Sequence, residues 1–219
     1  MSDRSAFEKI YTRPGAAIWT LPEPPKELVD FLTRGGLPKG SSVLDCGCGE
    51  GTAANYMSSM GMNVLGVDFM LKAVEWARDN AQRSGSSARF HVLNVADLDR
   101  LADLDFPAKY DFVFEWGLIH HLPSDQDVRD HIARVSHRLK QGGLYMSVCF
   151  NSDDVDYAQR GLESYVTPLG TEIRYHSAEE MHRLYMPYFE EVESKRITVG
   201  GKDVWHPANY FLLRKPHGA

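Results

Sequence analysis

The residues with the clearest chemical purpose lie within thirty positions, Ser41 to Met70, which read SSVLDCGCGEGTAANYMSSMGMNVLGVDFM. Asp45-Cys46-Gly47-Cys48-Gly49-Glu50-Gly51 breaks a short apolar run with three glycines. Glycine lets a backbone turn sharply and come close to a ligand. A helix starting just beyond such a loop aims unpaired N–H groups at a negative group such as a carboxylate. Alone, the glycines would fit any tight strand-to-helix turn. Asp68 changes that, because it closes the next apolar run about 20 residues after the first glycine, where an acid accepts hydrogen bonds from ribose hydroxyls. The set describes a nucleotide-cofactor site. A dinucleotide loop would carry its third glycine at position 52. Here that position is Thr52, the glycine comes one residue early, and Asp45 precedes the loop.

The elements that must hold these residues alternate. Ser42–Cys46 reads as a strand, 52–60 as a helix, Asn63–Asp68 as a second strand and 70–84 as a helix. Arg89–Leu93, Tyr110–Glu115 and Leu144–Phe150 read as three further strands. Ser124 starts a helix with a capping oxygen and acids in its first turn. Val128, Ile132, Val135 and Leu139 form its apolar stripe, and Gly142-Gly143 is expected to end it. Ahead of this core, Pro25 introduces a helix with Leu28, Phe31 and Leu32 on one face. Alternation of strand and helix predicts an α/β fold: a doubly wound, mostly parallel sheet with helices on both faces. Ligands of such sheets sit beyond the carboxyl ends of the strands. The last third differs. Residues 151–176 are polar and aperiodic, as expected of a lid or insertion. Ser177-Ala178-Glu179-Glu180 fits a capping box. Phe189–Val199 and Val204–Arg214, joined by Gly200-Gly201, read as an antiparallel hairpin.

The expected organisation is one domain over 1–219: a cap or lid segment at 1–40, a cofactor core at 41–150, a substrate-side insertion at 151–176, and a C-terminal helix and hairpin at 177–219. A net charge of −6 argues mildly against nucleic acid as a partner. Three cysteines make no disulfide framework and suit a reducing, cytoplasmic setting. No apolar run approaches the ~20 residues of a membrane helix, so no membrane partner is expected. Cys46 and Cys48 lack a second Cys/His pair at ligand spacing, so no metal is expected. A monomer or a homodimer fits the chain equally.

VLDCGCGEGT (43–52), VLGVDF (64–69), NVADL (94–98), YDFVFEWGLIHHLP (110–123) and LKQGGLYMSV (139–148) together resemble the class I S-adenosylmethionine (SAM)-dependent methyltransferases. The resemblance implies a seven-stranded sheet whose last hairpin is antiparallel, and SAM as cofactor. It implies that Gly47, Cys48, Gly49 and Gly51 hold the methionine part, with Asp45 near its amino group. It places both ribose hydroxyls on Asp68, the adenine near Asp97 and Leu98, and Phe69, Met70 and Trp19 around the cofactor. His120 and His121 resemble the family's common histidine pair and are candidate catalytic groups. Glu115 is a third candidate, toward the cofactor's amino group or the substrate, although a structural role fits it as well. Expected around the acceptor are Tyr11, Trp19, His120, His121, Asn151, Tyr165, Arg174 and Tyr175. A looser likeness, resting on layout, is to the thiopurine and tellurite-resistance methyltransferase group. No Asn-Pro-Pro-Tyr motif follows the fourth strand, and no basic arm is attached. The expected activity is methyl transfer to a small molecule, at a thiol or chalcogen or at a metabolite oxygen or nitrogen. The alternatives are a SAM-binding regulatory or scaffold protein without transferase activity, and a Rossmann dehydrogenase, against which the displaced glycine speaks.

Overall fold

A computed structural model of the chain describes residues 4–17, 19–103, 105–154, 164–167, 170–201 and 204–218. Its centre is a sheet of seven strands in the order β3-β2-β1-β4-β5-β9-β8. The strands are β1 (Ser42–Cys46), β2 (Asn63–Asp68), β3 (Arg89–Val92), β4 (Tyr110–Trp116), β5 (Leu139–Phe150), β8 (Glu190–Gly201) and β9 (Val204–Arg214). The first five are parallel; β9 runs antiparallel to β5, and β8 to β9. Strand order reverses between β1 and β4, which makes the crevice above them the natural binding place of a doubly wound sheet.

Central strands of such a sheet are covered on both faces and so read as continuous apolar runs. Val43 to Cys46 are all buried. Odd and even residues then serve two cores. Val43, Phe112, Phe114 and Met146 pack against α2 (Lys26–Thr33), α3 (Thr52–Ser59) and α4 (Leu71–Ser84). Leu44, Val113, Tyr145 and Phe211 pack against α5 (Asp125–Arg138) and α6 (Ala178–Tyr185). The helix starts follow their caps: Ser124 Oγ accepts from the Asp127 N–H, and Ser177 Oγ from the Glu180 N–H.

Several elements depart from the sequence expectation. α5 ends at Arg138, not at Gly142-Gly143, because Leu139 turns extended and pairs with Tyr110. The ladder then shifts register before Phe112 meets Leu144. β8 continues through Gly200-Gly201, and Gly201 pairs with Val204, so the hairpin link falls at 202–203, outside the described residues. A short helix, α1 (Arg4–Ile10), and a 3-10 stretch at Val95–Asp103 were not anticipated. Within 151–176, β6 (Ser164–Val166) and β7 (Glu172–Arg174) form a separate two-stranded ribbon. Among the described residues, no helix is long and apolar enough to cross a membrane.

Candidate functional site

The turn after β1 is built on left-handed glycines: φ is 73° at Gly47, 53° at Gly49 and 83° at Gly51. The first two face a cavity. Gly51 does not, since a Cβ there would come within 2.8 Å of the Phe90 ring and 3.0 Å of Ala77 Cβ. Its role is close packing of loop against α4 and β3. The Gly47 and Cys48 N–H groups donate to the Val67 carbonyl, which ties the loop to β2. Asp68 locks the other side. Its Oδ2 accepts from the Gly49 N–H at 3.0 Å and its Oδ1 from the Met70 N–H at 2.9 Å. Each oxygen keeps a second lone pair for a ligand.

Asp45 is the outlier. Its carboxyl is 2% exposed, lines the cavity, and its Oδ2 has no hydrogen-bond partner. Burial, then the nearby Asp68 charge, pushes its pKa up to about 8. Burial pushes Asp68 up to about 6. An orphaned, buried carboxylate oxygen is costly unless something pairs with it. A cationic ligand group would satisfy it and relieve the repulsion between the two acids.

The cavity, about 970 Å³, lies over the carboxyl ends of β1, β2, β4 and β5. The N-terminal segment roofs it. Phe7, Tyr11 and Trp19 line it and pack as a small cluster with Phe69, Met70 and Ala73. Trp19 Nε1–H donates to the Tyr11 hydroxyl at 3.0 Å. Burial, aided by the Asp68 charge, holds that hydroxyl well above its usual pKa, so it stays protonated. Glu50 anchors the roof, its carboxylate accepting from the Gly15 N–H at 2.9 Å and the Thr20 hydroxyl at 3.0 Å.

Of the residues expected at the cofactor, Asp45, Gly47, Cys48, Gly49, Asp68, Phe69, Asp97 and Trp19 line this cavity. Met70 and Leu98 are buried behind its wall, in the roof cluster and the α5-side core respectively. Glu115 is also behind it, which corrects its candidacy for the cofactor's amino group or the substrate and leaves the structural role. Alternation along β4 turns Glu115 to the α5 face, where it is fully buried. Its Oε1 accepts from the Tyr145 and Ser147 hydroxyls, both at 2.5 Å, and its Oε2 lies 2.7 Å from His131 Nε2. Of the expected acceptor wall, Tyr11, Trp19, His120 and His121 line the cavity. Asn151 is buried in a pair with Asn209, Arg174 is tied to Asp125, and Tyr175 stacks against Phe150 from outside. The ribbon reaches the cavity through Thr167, Thr171 and Ile173 rather than through Tyr165.

The two histidines are set in opposite ways. His120 stacks flat on Phe150, centroids 3.9 Å apart, and its Nδ1 accepts from the Phe150 N–H. Its remaining nitrogen must then be the donor. Burial and neighbouring histidines hold its pKa well below the usual value. His121 Nδ1 lies 3.1 Å from the Glu172 carbonyl, so Nδ1 carries the proton, and burial lowers its pKa to about 4. Both are neutral near neutral pH. Trp116, which the sequence left between a core and a cofactor role, lines it, and residues unforeseen from sequence complete the wall, notably Asn94, Leu118, Phe150 and His206. Asp127, His131 and Arg134 also line it from α5, and their i, i+4, i+7 spacing was a readable signal.

Fold and site together resemble those of the class I, Rossmann-like methyltransferases. The sequence agrees: residues 43–143 match the family model described as "Methyltransferase domain". The chain is 35% identical over 112 residues to an S-adenosyl-L-methionine-dependent Diels-Alderase of Talaromyces variabilis, covering 51% of this chain and 37% of that protein. It is 29% identical over 118 residues to a ubiquinone biosynthesis O-methyltransferase of Thiobacillus denitrificans, covering 54% and 48%. The chain thus spans half or less of the length of these curated relatives. Among solved structures, the Burkholderia thailandensis 1,6-didemethyltoxoflavin-N1-methyltransferase, with 1,6-didemethyltoxoflavin and S-adenosylhomocysteine bound, superposes with a TM-score of 0.65 at 25% identity, over 86% of this chain and 76% of that one.

Proposed function

We propose that this protein is a SAM-dependent methyltransferase acting on a small-molecule acceptor. The observation that carries the proposal is the orphaned Asp45 Oδ2 beside the glycine turn and Asp68, in one roofed cavity. SAM, when bound, supplies a methyl group on a sulfonium, an in-line leaving arrangement. The chain's own tasks are then to bind, align and exclude water. Asp45 pairs with the amino group of the methionine part, which lies along Gly47 and Gly49. Asp68 accepts from the ribose hydroxyls, and Asn94 and Asp97 meet the adenine. Phe7, Tyr11 and Trp19 present aromatic faces, which favour a cation, and shut water out. The relatives support this reading: one is named an O-methyltransferase, and the toxoflavin enzyme has 1,6-didemethyltoxoflavin and S-adenosylhomocysteine bound.

The test has two stages. Calorimetry with SAM, S-adenosylhomocysteine and NAD comes first, with binding of the first two and none of NAD expected. Mass spectrometry after incubation with methyl-labelled SAM and a panel of phenols, thiols and amines comes second, with label expected on a panel member. Binding without transfer to any member would favour the non-transferase alternative. NAD binding in place of SAM would overturn the cofactor assignment.

A further inference from the structure

His206 sits on the cavity wall with a carboxylate behind it. It lies near the start of β9, opposite Val199 of β8. Because β9 is antiparallel to β5, with Ala208 opposite Phe150, this start lies at the same sheet edge as the glycine turn. The His206 ring packs 4.6 Å from the Phe150 ring, whose plane also carries His120. Its Nδ1 is 2.7 Å from Oδ2 of Asp154, a residue only 3% exposed, four positions beyond β5. An ionised carboxylate can only accept, so Nδ1 carries the proton and Nε2 offers its lone pair. The His206 side chain remains 21% exposed, whereas His120 and His131 are buried.

A comparison of the four histidines that line the cavity is decisive. His120 spends its lone pair on the Phe150 N–H, leaving only a donor. His121 has an acceptor nitrogen, but its proton rests on a neutral carbonyl. His131 and His206 each hold one nitrogen against a buried carboxylate and leave the other without a protein partner, but His131 Nδ1 is buried and its side chain 2% exposed, so His206 is the one whose lone pair an acceptor can reach. This is the arrangement of a base held in place by a third group. The other titratable groups around it, among the described residues, are His120 and His176, whose backbone N–H donates to the Phe150 carbonyl. Arg196 of β8 is tied to Asp153.

We propose that His206 is the general base of the transfer, positioned by Asp154, and that the acceptor atom is therefore a hydroxyl oxygen on a flat, apolar molecule lying against Trp116 and Phe150. The inference rests on the methyltransferase reading. A thiol, with a pKa near ~8.5, ionises with little help, whereas a phenol near ~10 or an alcohol needs a base. In the step, the acceptor oxygen uses a lone pair to form the O–CH3 bond. The S–CH3 bond breaks and leaves its pair on sulfur, which becomes a neutral thioether. The hydroxyl proton passes to His206 Nε2 and is later lost to water from the imidazolium.

Two measurements test this. In the ligand-free protein, 15N NMR of the imidazoles is expected to show His206 protonated at Nδ1, with the Nε2 tautomer gaining in Asp154→Ala. A His206 protonated at Nε2 in the wild type, or a tautomer unmoved in Asp154→Ala, would overturn the dyad. The kinetic measurement uses the same phenol, thiol and amine panel. His206→Gln is expected to bind S-adenosylhomocysteine like the wild type while losing about 100-fold or more in transfer to a phenol. Asp154→Ala is expected to lower kcat at unchanged S-adenosylhomocysteine affinity, and Asp154→Glu to restore much of that loss, a split that a purely structural Asp154 would not give. Transfer to thiols or amines but to no phenol, or full activity of His206→Gln, would sink the base assignment and leave the methyltransferase reading standing. Failure of the wild type to bind S-adenosylhomocysteine or to label any acceptor would sink that reading itself.

Discussion

At the scale of single residues, the site is a pair of acids kept uncomfortable until a ligand arrives. Asp45 and Asp68 both have raised pKa values, about 8 and about 6, with burial as the first cause. A carboxyl whose folded-state pKa lies above its unfolded value adds stability at low pH and loses it as pH rises through the folded pKa. The ligand-free protein is therefore expected to lose stability from these two groups as pH rises toward about 8. A cationic ligand reverses the sign, because it favours the charged carboxylate and pulls the pKa down. SAM binding is thus expected to release protons and to tighten between about pH 6 and about pH 8. Calorimetry in buffers of different ionisation enthalpy reads the protons directly; a pH-independent affinity with no proton release would count against the pairing. Asp45→Asn should bind SAM more weakly, yet its ligand-free form should gain on the wild type as pH rises, a divergence that urea midpoints at two pH values would show. Asp68→Ala should weaken SAM binding by about 1–3 kcal/mol through its lost charged hydrogen bonds, and unchanged affinity would remove it from the ribose.

At the scale of elements, the roof is the part whose position is least secured by the sheet. α1 and the chain to Thr20 rest on an aromatic cluster and on one buried acid, Glu50. Glu50→Ala removes the acceptor of both the Gly15 N–H and the Thr20 hydroxyl. Faster amide exchange across residues 4–20 is expected, with exchange in β4 and β5 unchanged, and the SAM KM should rise several-fold. Exchange rates equal to the wild type would show that the aromatic cluster alone holds the roof. The same segment marks the limit of what the sequence shows. β1, β2 and α5 were legible because their periodicity, turns and caps are local and agree. α1 was not, because seven residues make a marginal helix by themselves, and it owes its form to docking on Phe69 and Ala73. The ribbon of β6 and β7 has three residues a side, too few for a pattern. Glu115 was a different case. Phe112, Phe114 and Trp116 share one face of YDFVFEW, so alternation alone assigned Glu115 to the other. The partners of His206 lay out of reach, since Asp154 is 52 positions away and meets it only through the sheet.

At the scale of the whole molecule, the sheet divides its work between its edge and its faces. The edge carries the cavity, while the face toward α5 carries a buried polar network that joins four elements. Tyr145 and Ser147 of β5 and His131 of α5 all bond to Glu115 of β4, and the Tyr185 hydroxyl of α6 donates to Ser147 at 2.8 Å. His131 also faces the cavity, so the network is the floor on which the α5 side of the site rests. Such a network is stabilising only while every member is satisfied. Glu115→Leu would leave two hydroxyls and an imidazole unpaired in the core, at a cost of about 3–5 kcal/mol, against a typical total of about 5–15 kcal/mol for a domain. Glu115→Gln keeps the shape and one acceptor oxygen, and should lose distinctly less. Urea unfolding of the two variants measures both losses, and calorimetry with S-adenosylhomocysteine asks whether the folded fraction still binds. A structural Glu115 predicts a large fall in midpoint for the leucine variant, with near-normal affinity in whatever remains folded. The opposite pattern, full stability with lost cofactor binding, would return Glu115 to the site's mouth and mean that the face assigned by the alternation of β4 is wrong.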